Sequence, residues 1–165
     1  ATARLTENLT LDFTYALNKT KVLEYCNGEM TALLGVPGGC ITGMGHSFSR
    51  SPEKSGTIAL SYQKELNADY VLFARGDLFF RSSHYMSAAN ITETGSARIV
   101  NLRVGVQSDK NRFEVYGTNI FDEKYFTELQ ALYDLSGLSG PIGSRMVAAG
   151  LGKKSEYGVR FTRKF

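Results

Sequence analysis

The chain has 165 residues, of which 42% are hydrophobic, and a net charge of +3 that is spread along its length. This length is sufficient for one domain with its own core, and no basic block marks a nucleic-acid surface, so we expect no nucleic-acid partner. No run approaches the roughly 18 apolar residues of a spanning helix, which excludes a helical membrane protein. Spanning β-strands stay possible, since they need only about 9 to 11 residues and half of these can be polar.

Six segments of the chain alternate between hydrophobic and polar residues. In the first, Leu9, Leu11 and Phe13 fall on one parity and Thr10 and Asp12 on the other. This period of two, together with many β-branched and aromatic residues, predicts antiparallel β-strands of about 12 to 15 residues. The six predicted strands lie within residues 8–22, 55–66, 69–84, 96–109, 111–122 and 155–165.

The connections between these strands alternate in length. Short polar turns are expected at residues 6–8, 66–69 and 108–111, and long Gly-rich segments at about 23–55, 84–95 and 123–153. Short turns at one end of a sheet and long loops at the other are typical of outer-membrane barrels. The pattern therefore predicts an all-β fold, an antiparallel transmembrane β-barrel segment with short periplasmic turns and long extracellular loops.

Two other interpretations stay open at this point. A soluble β-sheet binding module would show the same alternation, with its apolar face packed on a core. Strand lengths above the usual 5 to 6 residues favour the barrel. A small self-standing outer-membrane barrel, an adhesin or an enzyme, would need about eight strands or more. Six strands are too few, so the predicted barrel is incomplete on its own.

The end of the chain carries the residues of a family resemblance. The stretch "TNIFDEKYF" contains Asn119, Phe121, Asp122 and Tyr125, and it precedes a Gly-rich loop and a final strand. The final strand ends on an aromatic residue, in a row formed by Tyr157, Phe161 and Phe165. These features resemble the C-terminal end of TonB-dependent outer-membrane receptors. The family usually has an apolar residue two positions before the end, where this chain has Arg163.

The resemblance implies a location, a function and partners. Residues 1–165 would form the C-terminal part of a receptor barrel in the cell outer membrane, with the plug domain absent and residues 1–5 ending a preceding strand. The implied function is energy-coupled uptake of a scarce nutrient, commonly an iron-siderophore. The implied partners are outer-membrane lipid, the TonB complex and plug domain, the barrel-assembly machinery, which would read the terminal aromatic row, and a small-molecule ligand such as a metal chelate.

Charged and polar residues on the second face of the strands are candidates for a lumen wall. The alternative for each is that it only pairs with a neighbour: Arg75 with Asp77, and Glu114 with Lys164. Ligand contacts are expected instead from the aromatic residues of the loops, Tyr25, Phe48, Tyr85, Phe126 and Tyr133. The candidate lumen-facing residues are Arg75, Asp77, Arg81, Arg103, Glu114, Tyr116 and Arg160.

The remaining reactive residues do not form a recognisable catalytic or metal site. His46 and His84 lack a cysteine or carboxylate at metal-ligand spacing, and we expect both in loops, so we expect no catalytic residue, no cofactor and no enzymatic activity. Cys26 and Cys40 fall within the first long loop, which favours a disulfide in an oxidising compartment over two free thiols.

Overall fold

The computed structural model describes residues 1–26, 28, 42–134 and 144–164, and only the backbone at 133, 134, 144 and 145. No helix in these ranges is long and apolar enough to cross a membrane. The strands in them are β1 (Thr2–Arg4), β2 (Leu9–Leu17), β3 (Lys54–Glu65), β4 (Val71–Arg81), β5 (Ala97–Gln107), β6 (Asn111–Thr118), β7 (Phe126–Asp134), β8 (Ser144–Leu151) and β9 (Glu156–Arg163).

Seven of these strands form one antiparallel sheet. Their order is β1-β2-β3-β4-β5-β6-β9, so each strand pairs with its neighbour in the chain except where β7 and β8 intervene. The predicted all-β antiparallel fold is confirmed, and the six predicted strands correspond to β2 to β6 and β9. Residues 1–5 contribute β1, as expected. The sheet is open, with β1 and β9 at its two edges.

The connections are segregated as predicted. Short turns join β1 to β2, β3 to β4 and β5 to β6, and the long connections join the strands at the opposite end. We call these the short-turn end and the long-loop end. The strands from β2 to β6 and β9 are 8 to 12 residues long, so the predicted lengths of 12 to 15 were too large.

A second sheet lies within the segment that was expected to be a loop. β7 and β8 pair as an antiparallel hairpin, with a register shift between Phe126 and Glu128. The shift lies at the start of β7, and β8 has four apolar residues in a row from Met146 to Ala149, so the alternation that reveals the other strands is absent from β8. This hairpin is the element that the sequence pattern did not predict.

The register brings the apolar residues of the successive strands to the same side of the main sheet. Across β3, β4, β5, β6 and β9, one row of partners contains Leu60, Gly76, Leu102, Gly117 and Tyr157. We call this side the apolar face. It is exposed: Tyr157 and Val159 keep 68% and 69% of their surface accessible. In the described residues the apolar face therefore does not cover a core, in contrast to what a soluble sheet module requires.

Candidate functional site

The opposite side of the main sheet, the polar face, carries every candidate lumen-facing residue. Arg75 on β4 is the partner of Arg103 on β5, which is the partner of Tyr116 on β6. Glu114 on β6 is likewise the partner of Arg160 on β9. Asp77 and Arg81 lie two and six residues beyond Arg75 on β4, so strand alternation puts them on the same face.

Arg75 forms the centre of the first polar cluster. Its Nε donates to Asp77 Oδ1 at 2.8 Å, and its Nη1 donates to Ser61 Oγ at 2.9 Å. The same Nη1 lies 3.4 Å from Asp12 Oδ2, and the Thr2 hydroxyl donates to Asp12 at 2.7 Å. The pairing of Arg75 with Asp77 that the sequence suggested is therefore present, and it extends over four strands.

Glu114 forms the centre of the second polar cluster. It accepts from Arg112 at 2.9 Å and from Arg160 at 2.8 Å, and its side chain is only 4% exposed. The predicted pairing of Glu114 with Lys164 was wrong. The register sets Glu114 opposite Arg160, whereas the Lys164 backbone N–H donates to Lys110 at the short-turn end. Arg112 was missed, although its position two residues before Glu114 puts it on the same face.

Two arginines of the second cluster also stack on aromatic rings. The Arg112 guanidinium lies 4.0 Å from the centre of the Phe73 ring, and that of Arg160 lies 5.0 Å from the centre of the Tyr116 ring. The Phe73 ring lies over Gly105, its cross-strand partner, where any Cβ would also collide with the Phe113 carbonyl oxygen. Stacking of this kind orients the guanidinium groups along the sheet.

Arg81 differs from the other six candidates, because it holds loops at the long-loop end. Its Nη1 lies 2.9 Å from His84 Nδ1 and donates to Thr94 Oγ1 at 2.9 Å. Its Nη2 donates to the Phe126 carbonyl at 2.8 Å. Because arginine only donates, His84 Nδ1 must accept here. Burial, followed by the nearby Arg81 charge, holds the pKa of His84 below its ordinary value.

The motif residue Asn119 forms a corner where β6 ends. It is 3% exposed and has a left-handed backbone, with φ 46°. Its side-chain amide donates to the Glu123 and Lys153 carbonyls at 3.0 and 2.9 Å, and its Oδ1 accepts from the Glu123 N–H at 2.9 Å. Its own N–H donates to Asn101 Oδ1 at 3.0 Å. Asn119 thus joins β5, the segment before β7 and the segment between β8 and β9.

The other motif residues complete this corner. Asp122 Oδ1 accepts from the Ser155 N–H at 3.0 Å, and the Tyr125 carbonyl accepts from the Gly152 N–H at 2.8 Å. Phe121 is 75% exposed and takes no part in these bonds. The motif thus holds the base of the β7–β8 hairpin against the start of β9.

The aromatic row of the last strand lies on the apolar face. Tyr157 and Phe161 are both exposed, and the Tyr157 hydroxyl donates to the Ile120 carbonyl at 2.9 Å. Arg163 is the register partner of Asn111 at the short-turn end. Phe165, the last member of the row, lies outside the described residues, so its role as an assembly signal stays a prediction.

The long-loop end contains some of the aromatic residues that were expected to contact a ligand. Tyr25 and Phe48 line one groove of about 420 Å³ together with Val22, Ser47 and Ala88. Tyr85 instead bridges to Glu93, Phe126 begins β7, and the Tyr133 side chain lies outside the described residues. The structure therefore brings two of the five aromatic residues together.

The loops at this end contact one another. Asn90 accepts from the Ser47 N–H at 2.8 Å and donates to the Ser47 carbonyl at 2.9 Å, and Arg50 pairs with Glu128 at 2.9 Å. Cys26 is disulfide-bonded, while Cys40 lies outside the described residues. In the described ranges, no group of three or more His, Cys, Asp or Glu residues could hold a metal ion.

Comparison with solved structures identifies this arrangement. The ferric yersiniabactin uptake receptor FyuA from Yersinia pestis aligns over 99% of the chain, with a TM-score of 0.72 and 14% identity. The siderophore receptor PiuA from Acinetobacter baumannii aligns over 99% of it, with a TM-score of 0.61 and 12% identity. The chain therefore shares its fold with a part of each of these two receptors. It spans only 22% and 20% of those two chains. No protein-family model matches the sequence.

Within this receptor fold, two kinds of functional candidate are now separated. The Arg75 and Glu114 clusters lie on the polar face of the main sheet, while Arg81 and the aromatic groove lie at the long-loop end. Sequence reasoning found the polar parity but missed the contributions of Asp12 and Ser61 to the first cluster. Both could have been found only with the register, because they come from β2 and β3.

Proposed function

We propose that residues 1–165 are the C-terminal part of the β-barrel of a TonB-dependent outer-membrane receptor, which takes up a scarce nutrient, commonly an iron-siderophore. One observation carries the proposal: an open antiparallel sheet exposes its apolar residues on one face and concentrates paired charges on the other. This distribution is what a lipid-facing outside and a polar lumen require. The fold likeness to siderophore receptors over 99% of the chain supports it.

In the proposed receptor, the two faces have separate tasks. The apolar face contacts outer-membrane lipid, and the polar face contacts the plug domain, which is absent from this chain. The barrel-assembly machinery recognises the last strand through Tyr157, Phe161 and Phe165. The TonB complex supplies the force that displaces the plug, so substrate moves through the lumen without bond chemistry and this part of the receptor is not enzymatic.

The long-loop end is proposed to contribute to ligand binding. The groove beside Tyr25 and Phe48 presents two aromatic rings, of which 48% and 55% respectively are exposed. Exposed rings on loops anchored to a rigid sheet provide large contact areas for a metal chelate at low conformational cost. Arg81 holds the loop of residues 82–96 on the sheet, and the Asn90–Ser47 pair joins that loop to the loop that carries Phe48, so these residues act as positioning residues.

Deletion and complementation of the full-length gene test this proposal. We expect the full-length protein to fractionate with the outer membrane and to need detergent for extraction. A deletion strain should lose energy-dependent uptake of at least one radiolabelled ferric siderophore, and uptake should return on complementation. Extraction into buffer without detergent, or unchanged uptake across a broad siderophore panel, would contradict the proposal.

The aromatic groove has its own test in the same strain. Replacing Phe48 by alanine should weaken ligand binding about tenfold, because loss of one aromatic contact costs on the order of 1 to 2 kcal/mol. Phe13 on the apolar face offers a matched control, since it is also a half-exposed phenylalanine but lies away from the groove. If the Phe48 and Phe13 variants bind the ligand equally well, the groove does not contribute to ligand binding.

A further inference from the structure

Two arginines face each other at the middle of the polar face. Arg75 on β4 and Arg103 on β5 are direct cross-strand partners in an antiparallel ladder. Like charges in this position repel each other, so such a pair normally needs compensating anions nearby. The positions of the carboxylates on the polar face therefore show which of the two charges is compensated within the sheet.

The compensation is one-sided. Arg75 contacts two carboxylates, those of Asp77 and Asp12. Arg103 is exposed, and among the described residues its side chain makes no hydrogen bond or ion pair, although its backbone is part of the ladder. The Glu114 carboxylate is close enough to Arg103 for an electrostatic interaction, but it already binds Arg112 and Arg160 directly. Three arginines therefore interact with one carboxylate, that of Glu114.

A groove of about 280 Å³ lies at this place on the polar face. Its lining includes Arg75, Arg103 and Arg112 together with the uncharged polar residues Ser61, Gln63 and Gln107, and it contains no carboxylate. Three guanidinium groups from three different strands therefore border one concave surface. Guanidinium groups bind carboxylates through two parallel hydrogen bonds, a geometry that neither water nor chloride reproduces.

From this arrangement we infer that the groove binds a carboxylate that comes from outside the sheet, with Arg103 as its main ligand. The group can be an acidic side chain from another segment of the full-length protein, or a carboxylate of a small molecule that enters the lumen. The inference rests on the proposed function only for the existence of that lumen. Its test does not measure uptake, so its failure and a failure of the proposed function can be told apart.

The test uses the full-length protein in detergent and measures its thermal unfolding. The variants are Arg103→Gln, which removes the charge, and Arg103→Lys, which keeps it. Arg98→Gln is the matched control, because Arg98 is an exposed arginine on the same strand but lies on the apolar face. Each protein is unfolded in sodium chloride and in sodium succinate at equal ionic strength, and again in about 1 M sodium chloride, where charge interactions are screened.

An internal acidic partner predicts that Arg103→Gln lowers the Tm by a few degrees in chloride, that Arg103→Lys retains most of the Tm, and that succinate has no added effect. A small-molecule partner predicts that succinate raises the Tm of the wild type but not of Arg103→Gln, with about tenfold weaker succinate binding by the variant. In both cases high salt should reduce the difference. An Arg103→Gln protein as stable as the wild type in both salts, or more stable, or one whose loss persists in 1 M salt, overturns the inference.

Discussion

At Asn119 and Asp122 the backbone adopts left-handed conformations, with φ of 46° and 50°. Asparagine and aspartate tolerate this conformation better than most residues, because their short polar side chains bond to nearby backbone groups. Here those bonds reach Glu123, Lys153 and Ser155. The identity of both motif residues is therefore explained by the corner that they build, without any contact to a ligand.

Replacing Asn119 by alanine should destabilise this corner. The change leaves the Glu123 and Lys153 carbonyls and the Glu123 N–H without a partner, and it places an alanine in a left-handed conformation. We expect a loss of about 1 to 3 kcal/mol in the free energy of unfolding of the full-length protein, measured by urea titration in lipid.

Asn18→Ala is the control for this change. Asn18 is exposed, and its side chain makes a single hydrogen bond, to Ser51. Its loss should be below about 0.5 kcal/mol. If both alanine variants lose the same free energy of unfolding, the stability of the corner does not depend on the Asn119 amide.

His84 should make the loops at the long-loop end sensitive to pH. Its folded-state pKa is lowered from the ordinary value of 6.5, so the unfolded loop binds more protons than the folded loop as the pH falls through that region. The stabilisation is present above pH 6.5 and is lost as the pH falls toward the lowered folded-state pKa. The protection factors for hydrogen exchange of residues 82–96, which are corrected for the intrinsic pH dependence of exchange, should therefore fall between pH 7 and pH 5.

The His84→Gln variant should remove most of this pH dependence, because glutamine does not titrate. His46→Gln tests the other histidine, which lies in the first long loop but whose Nδ1 is 3.1 Å from the Ala88 carbonyl of the measured loop. If the protection factors of the loop in His84→Gln fall as steeply as in the wild type, the pH dependence comes from another group.

At this scale the sequence predicts which face a charged residue occupies but not its partner. Strand alternation is sufficient to put Glu114 on the polar face. Its partner depends on the register between β6 and β9, which the corner at Asn119 helps to set through bonds that no periodicity encodes. For that reason the pairing with Lys164 was wrong. The register does not explain why Arg112 was missed, because Arg112 lies on the same strand as Glu114 and alternation alone was sufficient to place it on the polar face.

Among the elements, β5 is constrained on its polar face. Gly105 leaves room on the polar face for the Phe73 ring, and the Arg112 guanidinium stacks on that ring. Glycine weakens a strand on its own, but an aromatic side chain from the next strand can cover it. The ring and the glycine therefore form one structural unit across β4 and β5.

The Gly105→Ala variant should show that this close approach is necessary. Its new Cβ would collide with the Phe113 carbonyl oxygen and lie 2.7 Å from the Phe73 ring, so the backbone itself must shift. Overpacking of this kind costs about 1 to 3 kcal/mol, which urea titration of the full-length protein can measure.

Gly76→Ala is the matched control on the apolar face of β4. There the new Cβ would meet only the Leu102 Cδ2, at 3.0 Å, which is the end of a flexible side chain. Gly76→Ala should therefore be close to neutral. A larger loss for Gly76→Ala than for Gly105→Ala would contradict the role assigned to the Phe73–Gly105 contact.

Most elements of the sheet could be predicted because each strand has one apolar and one polar parity. The β7–β8 hairpin was missed because β8 lacks that parity: its residues from Met146 to Ala149 are all apolar. The predicted strands were longer than the observed ones, because residues beyond the last paired position can still alternate between apolar and polar.

For the whole molecule, the apolar face predicts how the protein responds to a new charge. Val104 lies in the central part of that face, on β5, and is 47% exposed. In a bilayer, Val104→Arg should cost about 2 to 4 kcal/mol, as charges at the midplane of lipid-facing strands do. In a soluble sheet with this much exposure, the same change should cost less than about 0.5 kcal/mol.

Thr57→Arg serves as the control for the polar face, where Thr57 lies on β3 opposite Phe79. We expect it to change the free energy of unfolding in lipid much less than Val104→Arg. Similar values for the two variants in lipid vesicles would contradict the assignment of the apolar face to lipid.

The fold class was predictable from the sequence, whereas the identity of a transported substrate was not. Every strand of the sheet has one apolar and one polar face, and this alternation repeats along the sequence. The ligand contacts that we propose at the long-loop end involve single residues such as Tyr25 and Phe48, which come together only after the loops fold. No periodic pattern in the sequence predicts that two such loop residues lie side by side.

The corner between β6 and β9 has a consequence for how such proteins can diversify. Thr118 and Glu156 are direct partners, so the ladder of the main sheet continues across the place where the chain leaves to form the β7–β8 hairpin. The bonds from Asn119 to Lys153 and from Asp122 to Ser155 close that junction on the sheet side. A hairpin of another length or composition can be exchanged above this junction while the strands below keep their register. The same sheet can thus carry hairpins of different shape without a change in its own pairing.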